Sequence, residues 1–192
     1  MIRMNLQKGS VSRANYLRKN RIFGAMGERV RYQPHIIPLY PELIRLHNNI
    51  TVAANVRLIT HDASFAVLNW TGEKKKYPEK VGCIEIMDNV FIGYGTTILP
   101  NVRIGSNVII GACSVVTKDL APNGVYIGSP ARRICSFDDY RRRMDALPEG
   151  GYAYPTVAHN THISEKEVVC AWQYFFRERS EEENDEAETS MQ

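Results

Sequence analysis

From residue 84 onward the aliphatic side chains fall in pairs two residues apart, and the pairs recur every six. Ile84 goes with Ile86, Val90 with Ile92, Val102 with Ile104 and Val108 with Ile110. Thr96 with Ile98 and Ser114 with Val116 fill the same slots with a smaller first member. A helix requires spacings of three and four, and a flat strand would alternate without a break at every sixth residue. The pattern predicts very short strands with two inward side chains each, joined by tight turns. Gly93, Gly105, Gly111 and nearby asparagines are expected to supply the positive φ of those turns. Three hexads make a triangular coil of about eighteen residues, and stacked coils bury a continuous aliphatic column.

The same pattern runs upstream through Ile44 with Leu46, Ile50 with Val52 and Val56 with Leu58, shifted by two residues. Met26-Gly27 with Val30 and Tyr32 return to the later phase, so a proline-bearing corner over residues 36–41 (IIPLYP) absorbs the slip. Between Leu58 and Ile84 no hexad phase survives. That stretch reads as a long loop thrown out of a coil, carrying Trp70, Lys74-Lys75-Lys76, Tyr77 and Pro78. A short basic helix over residues 12–22 is expected to cap the first coil. A helix follows Ser136 as N-cap, ended by Pro148, Gly150 and Gly151, and a last one starts at Ser164 with Glu167 completing a capping box. The fold class is an all-β core of hexapeptide repeats with a protruding loop, a short N-terminal helix and C-terminal helices. Its parts are an N-terminal cap (1–25), the repeat domain (26–130, loop 62–80) and a helical extension with an acidic tail (131–192).

The 192 residues are 44% hydrophobic and 23% charged, which is the composition of a globular chain. A net charge of +3 is too mild to argue for nucleic acid. The charge is uneven: residues 1–31 are basic with Glu28 as their single acid, and residues 181–188 are acidic, read here as a solvated, frayed tail. No stretch suits a membrane span or a secretory leader. Cys83, Cys113, Cys135 and Cys170 form no C-x-x-C pair and read as reduced thiols mostly filling core space, which points to the cytoplasm.

The run IMDNVFIGYGTTILPNVRIGSNVIIGACSVVTKDLAPNGVYIGSPARRI resembles the hexapeptide-repeat acyltransferases, whose fold is a left-handed parallel β-helix. NNITVAANVRLITHD followed by a loop is similar to the sugar O-acetyltransferases of that family, the maltose and galactoside enzymes and those of surface polysaccharides. The resemblance spans residues 26–135. It implies acetyl transfer from acetyl-CoA to a hydroxyl of a sugar or saccharide, in a homotrimer with active sites between subunits, without a metal.

Residue by residue, the resemblance makes His61 the general base. An imidazole suits that task, because a sugar hydroxyl must lose its proton as it attacks a thioester. Asp62 beside it and Gln33, where the sugar transferases have an asparagine, are weaker catalytic candidates. The residue after Ile92-Gly93 supplies a backbone N–H to the oxyanion, here Tyr94, a bulkier side chain than is common there. Ala112 and Thr117 match positions that bond the pantetheine arm. Lys118 and Arg132, with Arg133 as a further candidate, match basic positions near the CoA phosphates. A basic residue that some relatives carry three positions after Arg132 is Cys135 here. Three readings compete. A zinc enzyme on this scaffold needs a closely spaced histidine pair, whereas His35, His47 and His61 lie on separate turns. N-acetylation of a nucleotide-linked amino sugar fits the same residues, whereas His61, the loop, Lys118 and Arg132 together argue against the third alternative, a non-catalytic scaffold.

Overall fold

In the computed structural model the described residues are 4, 6–72, 74–146 and 164–189. The chain divides into two compact units, Met1–Tyr140 and Arg141–Gln192. In the first unit, short strands are laid in rotation onto three parallel sheets, which makes a three-faced parallel β-helix. One face holds β1 (Ala25–Met26), β3 (Ile44–Leu46), β8 (Ile84–Ile86) and β11 (Val102–Ile104). The second holds β2 (Arg31–Tyr32), β4 (Ile50–Val52), β9 (Val90–Ile92), β12 (Val108–Ile110) and β14 (Gly124–Ile127). The third holds β5 (Arg57–Leu58), β10 (Thr97–Ile98) and β13 (Val115–Val116).

Both members of every pair in the six hexads from Ile84 to Val116 are buried, at 2% exposure or less. The polar members are satisfied in place: Thr96 Oγ1 donates to Gly111 O at 3.1 Å and Ser114 Oγ to the same carbonyl at 2.8 Å. Coil length varies where the sequence phase breaks. Ile84 pairs with Val102, eighteen residues on. Ala25 pairs with Arg45, twenty on, because the corner at residues 36–43 is widened by Tyr40 at φ 50 and a 3-10 turn over Pro41–Leu43. Ile44 pairs with Ile84, forty on, across the excursion, and Val108 with Gly124, only sixteen on.

The repeat glycines act differently from the expectation. Gly93, Gly105 and Gly111 do not take positive φ; they are needed because coils touch there. A Cβ on Gly93 would meet Ala112 N at 2.5 Å, and one on Gly105 would meet Pro122 N at 2.6 Å. Positive φ falls to asparagines, whose short side chain tolerates it: Asn49, Asn89, Asn107 and Asn123, at 56–60°, stack at one corner. Their amides form a ladder, Asn49 Nδ2 to Asn89 Oδ1 (2.7 Å), Asn89 to Asn107 (2.9 Å) and Asn107 to Asn123 (2.8 Å).

The N-terminal helix, α1 (Ser10–Lys19), stops earlier than residue 22. Arg21 at φ 50 closes it, with Ile22 N–H on Leu17 O and Arg21 N–H on Arg18 O, a Schellman ending. Arg13 of α1 is buried and donates from Nε to Tyr32 O at 3.1 Å. The excursion contains a helix, α2 (Phe65–Trp70). Residues 132–136, expected only to lead into a helix, form β15 (Arg132–Ser136), antiparallel to β14 after the chain reverses at Gly128 (φ 95). Ser136 then caps α3 (Phe137–Asp145) through Asp139 N–H to Ser136 Oγ, 2.9 Å. The residues expected to end that helix, 148–151, lie outside the described ones.

In the second unit α4 (Glu165–Thr189) begins with the expected box, Ser164 N–H on Glu167 Oε2 at 2.7 Å. It runs on through the acidic stretch, which is therefore helix and not a frayed tail. Residues 165–189 hold no Gly or Pro, and glutamate and alanine are good helix formers. The cysteines also differ from expectation. All four are free, and Cys83 and Cys113 are exposed because they sit at coil corners, not in inward slots.

Candidate active site

His61 opens the excursion. It lies on β6 (His61–Asp62), antiparallel to β7 (Lys80–Val81), with His61 opposite Val81 and Asp62 opposite Lys80. This stem pinches the excursion shut at its base, so the histidine sits where the arm leaves the coil. Next to it, Thr60 is buried and its hydroxyl donates to Leu39 O. The imidazole is half-buried beside a hollow of about 100 Å³ lined by Ile36, Pro38, Leu39, Val56 and Leu58. Its Nδ1 is buried with no hydrogen-bond partner among the described residues.

Asp62 does not orient the ring. Its carboxylate accepts from Ser64, Oδ1 from the backbone N–H at 2.7 Å and Oδ2 from the hydroxyl at 3.1 Å. Those bonds hold its pKa below the usual carboxylate value. Gln33 is likewise engaged in bracing: its Oε1 accepts from Ala54 N–H, one coil on, at 2.9 Å. Trp70 at the arm's tip is 80% exposed, and Asn69 clamps the Tyr77 backbone through two 2.9 Å bonds.

Tyr94 stands at the corner that feeds the third face. Its carbonyl accepts from Cys113 N–H (2.7 Å) and its hydroxyl from Asn55 Nδ2 (2.6 Å), while its own N–H makes no hydrogen bond among the described residues. Ala112 occupies the same corner one coil on, pressed close by Gly93. Thr117 and Lys118 are exposed at the far edge of that face, just past β13. The two arginines divide. Arg133 is tied to main-chain carbonyls, Nη2 to Asn123 O at 2.9 Å and Nε to Cys135 O at 3.4 Å, whereas Arg132 is exposed and gives only Nη1, to Ala131 O.

The third face separates the candidates. Tyr94 and Ala112 lie on its leading edge; His61, Thr117 and Lys118 lie on its trailing edge. Five or so extended residues make about 16 Å, far beyond the ~3 Å at which a base and an oxyanion donor share a reacting centre. Within one chain His61 and the Tyr94 amide therefore do not meet. Among the described residues no three His, Cys, Asp or Glu side chains gather as a metal site, and no helix is long and apolar enough to cross a membrane.

One neighbour of His61 escaped the sequence reading. Tyr40 sets its ring edge-to-face with the imidazole, centroids 5.9 Å apart at 86°. A contact spanning a corner has no periodic signature; the one trace was a bulky residue where the hexad phase slips.

The profile of bacterial transferase hexapeptide repeats (six repeats) matches residues 84–118. Galactoside O-acetyltransferase of Escherichia coli K12 is 38% identical over 97 residues, 50% of this chain and 45% of that one. The chain spans about half the length of the first curated relatives it matches. The structure of a galactoside acetyltransferase in complex with coenzyme A superposes with a TM-score of 0.55 and 29% identity over 73% of this chain and 78% of that one. A maltose O-acetyltransferase from Clostridium difficile 630 superposes at 0.51, with 31% identity over 68% of this chain and 78% of its own. With its hexads buried as that repeat requires, the chain belongs to the hexapeptide-repeat transferase family.

Proposed function

We propose that the protein is an acetyl-CoA-dependent O-acetyltransferase acting on a sugar or a surface-polysaccharide precursor in the cytoplasm, built as a left-handed β-helix and working as a homotrimer. The observation that carries this reading is the split across the third face. A base on the trailing edge and an open amide on the leading edge become one site only when the trailing edge of one copy meets the leading edge of the next. Cyclic association about the third face brings them together three times over. The relatives, a galactoside and a maltose O-acetyltransferase, supply the acceptor class and the donor.

In that site His61 takes the acceptor hydroxyl's proton as the oxygen attacks the thioester carbonyl. The Tyr94 N–H of the neighbouring copy donates to the oxygen on which negative charge develops. As the C–S bond breaks, the imidazolium returns its proton to the departing thiolate, so the enzyme ends unchanged and no acetyl-enzyme forms. Ala112 and Thr117 offer backbone edges to an extended pantetheine chain. Lys118 and Arg132 are the exposed cations suited to its phosphates, and Arg133, already spent on carbonyls, serves the hairpin.

The test is thiol release from acetyl-CoA against a panel of sugars and amino sugars, with wild type and His61→Ala. One acceptor turned over by wild type, and lost in the variant while CoA affinity persists, is the expected result. Failure to bind CoA overturns the reading. Turnover of an amino sugar alone would move the chemistry from oxygen to nitrogen.

A further inference from the structure

We propose that Tyr40 is the positioning residue of His61, held in place from across the excursion by Glu79; this rests on His61 being the base. Three independent features converge on it. The first is the ring contact, centroids 5.9 Å apart and nearly perpendicular, the edge-to-face geometry that aromatic rings prefer. The second is the tether. Tyr40 Oη donates to Glu79 Oε2 at 3.1 Å, and the bond to this carboxylate raises the phenol's pKa, keeping it a donor. Glu79 immediately precedes β7, whose Lys80 and Val81 face Asp62 and His61. The tyrosine thus links the coil corner to both strands of the stem that carries the histidine.

The third feature is backbone cost. Tyr40 sits at φ 50, ψ 54, a left-handed conformation that asparagine or glycine adopts with less strain. The corner of the ladder uses asparagine for this. Arg21 and Arg29 take it too, at ordinary turns; at Tyr40 it carries an aromatic ring onto His61. The Thr60 hydroxyl bonded to Leu39 O fixes the two flanking residues, leaving imidazole rotation as the freedom that Tyr40 removes. With Nδ1 buried and unpaired and Asp62 turned to Ser64, no other group of the chain's described residues orients the ring by a hydrogen bond to that nitrogen.

The experiment compares Tyr40→Asn, Tyr40→Phe and Glu79→Gln with His61→Ala in the full-length protein. Asparagine suits the left-handed corner, so Tyr40→Asn is expected to keep the melting temperature while kcat falls ~10–100-fold, since misplacement near 1 Å costs about a hundredfold. KM for acetyl-CoA stays unchanged. Tyr40→Phe keeps the ring contact but loses the bond to Glu79, and Glu79→Gln weakens that bond, so kcat falls ~3–10-fold in each, between wild type and Tyr40→Asn; wild-type kcat in both overturns the role of Glu79. The NMR shifts of the His61 ring protons read the contact itself, whatever the acceptor: displaced by the Tyr40 ring current in wild type and Tyr40→Phe, and released in Tyr40→Asn. Unchanged kcat in Tyr40→Asn, or a loss confined to KM, overturns the proposal while leaving His61 as base. Full activity in His61→Ala overturns the base and this inference with it.

Discussion

The stack of coils from Ile84 to Ile127 and the excursion between Leu58 and Ile84 are neighbours in sequence and opposites in construction. In the stack each inward side chain rests on its counterpart one coil away, and the corner asparagines bond to one another through the column. In the excursion none of the described residues from 61 to 81 is buried, and order comes from a few discrete ties: the β6–β7 stem, Asn69 with Tyr77, Asp62 with Ser64 and Tyr40 with Glu79. Periodic burial makes a rigid frame but repeats every environment. A unique one, such as the half-buried imidazole with its unpaired nitrogen, arises where the period breaks while both ends stay anchored in the frame.

This contrast can be broken from either side. His61→Ala should lower turnover by roughly 10²–10⁴-fold with no change in thermal midpoint, because it removes the proposed base without touching the column. Ile104→Ala, in contrast, should cost ~2–5 kcal/mol in chemical denaturation, since that side chain is fully buried and the coils above and below cannot close over the gap. Gly93→Ala tests contact between coils. The new Cβ meets backbone atoms of Ile110, Gly111 and Ala112, none of which is a flexible side chain, so a loss of ~1–3 kcal/mol is expected. Asn107→Ala should cost about 1–2 kcal/mol through two lost amide bonds and a left-handed backbone, and Asn107→Gly should recover the backbone share. The smallest effect belongs to Asp62. Its folded pKa lies below the ordinary 3.8, so its contribution is present above that value and is lost as pH falls through the depressed folded one. Amide exchange at Ser64 should accelerate there before the coil amides do.

The hexads were legible because an inward slot tolerates little besides an aliphatic group, and the edges of the excursion were legible because the phase stops at Leu58 and resumes at Ile84. The place of His61 at that edge was legible as well, and the structure puts it on the stem of the excursion. The role of Gly93 was misread, since close approach and positive φ both select glycine and sequence does not separate them. The direction of the Asp62 side chain depends on Ser64 two residues on, and either a neighbour's histidine or a neighbour's hydroxyl fits the same spelling. Arg132 and Arg133 look alike in sequence, yet strand alternation in β15 and the Asn123 carbonyl give them different employment. Tyr40 gave no periodic sign at all, because its meaning lies in a residue twenty-one positions away.

A parallel coil is a template: its open edge presents hydrogen-bonding groups in the arrangement that the next copy of itself would need, and nothing in the hexads says where copying should stop. β15 answers that. By running against β14, it turns the last rung into a surface that another molecule's first coil cannot extend in register. The hairpin is thus a terminator against end-to-end growth. A chain cut before Arg132 would leave the outer edge of β14 unpaired, a row of donors and acceptors open to any other strand.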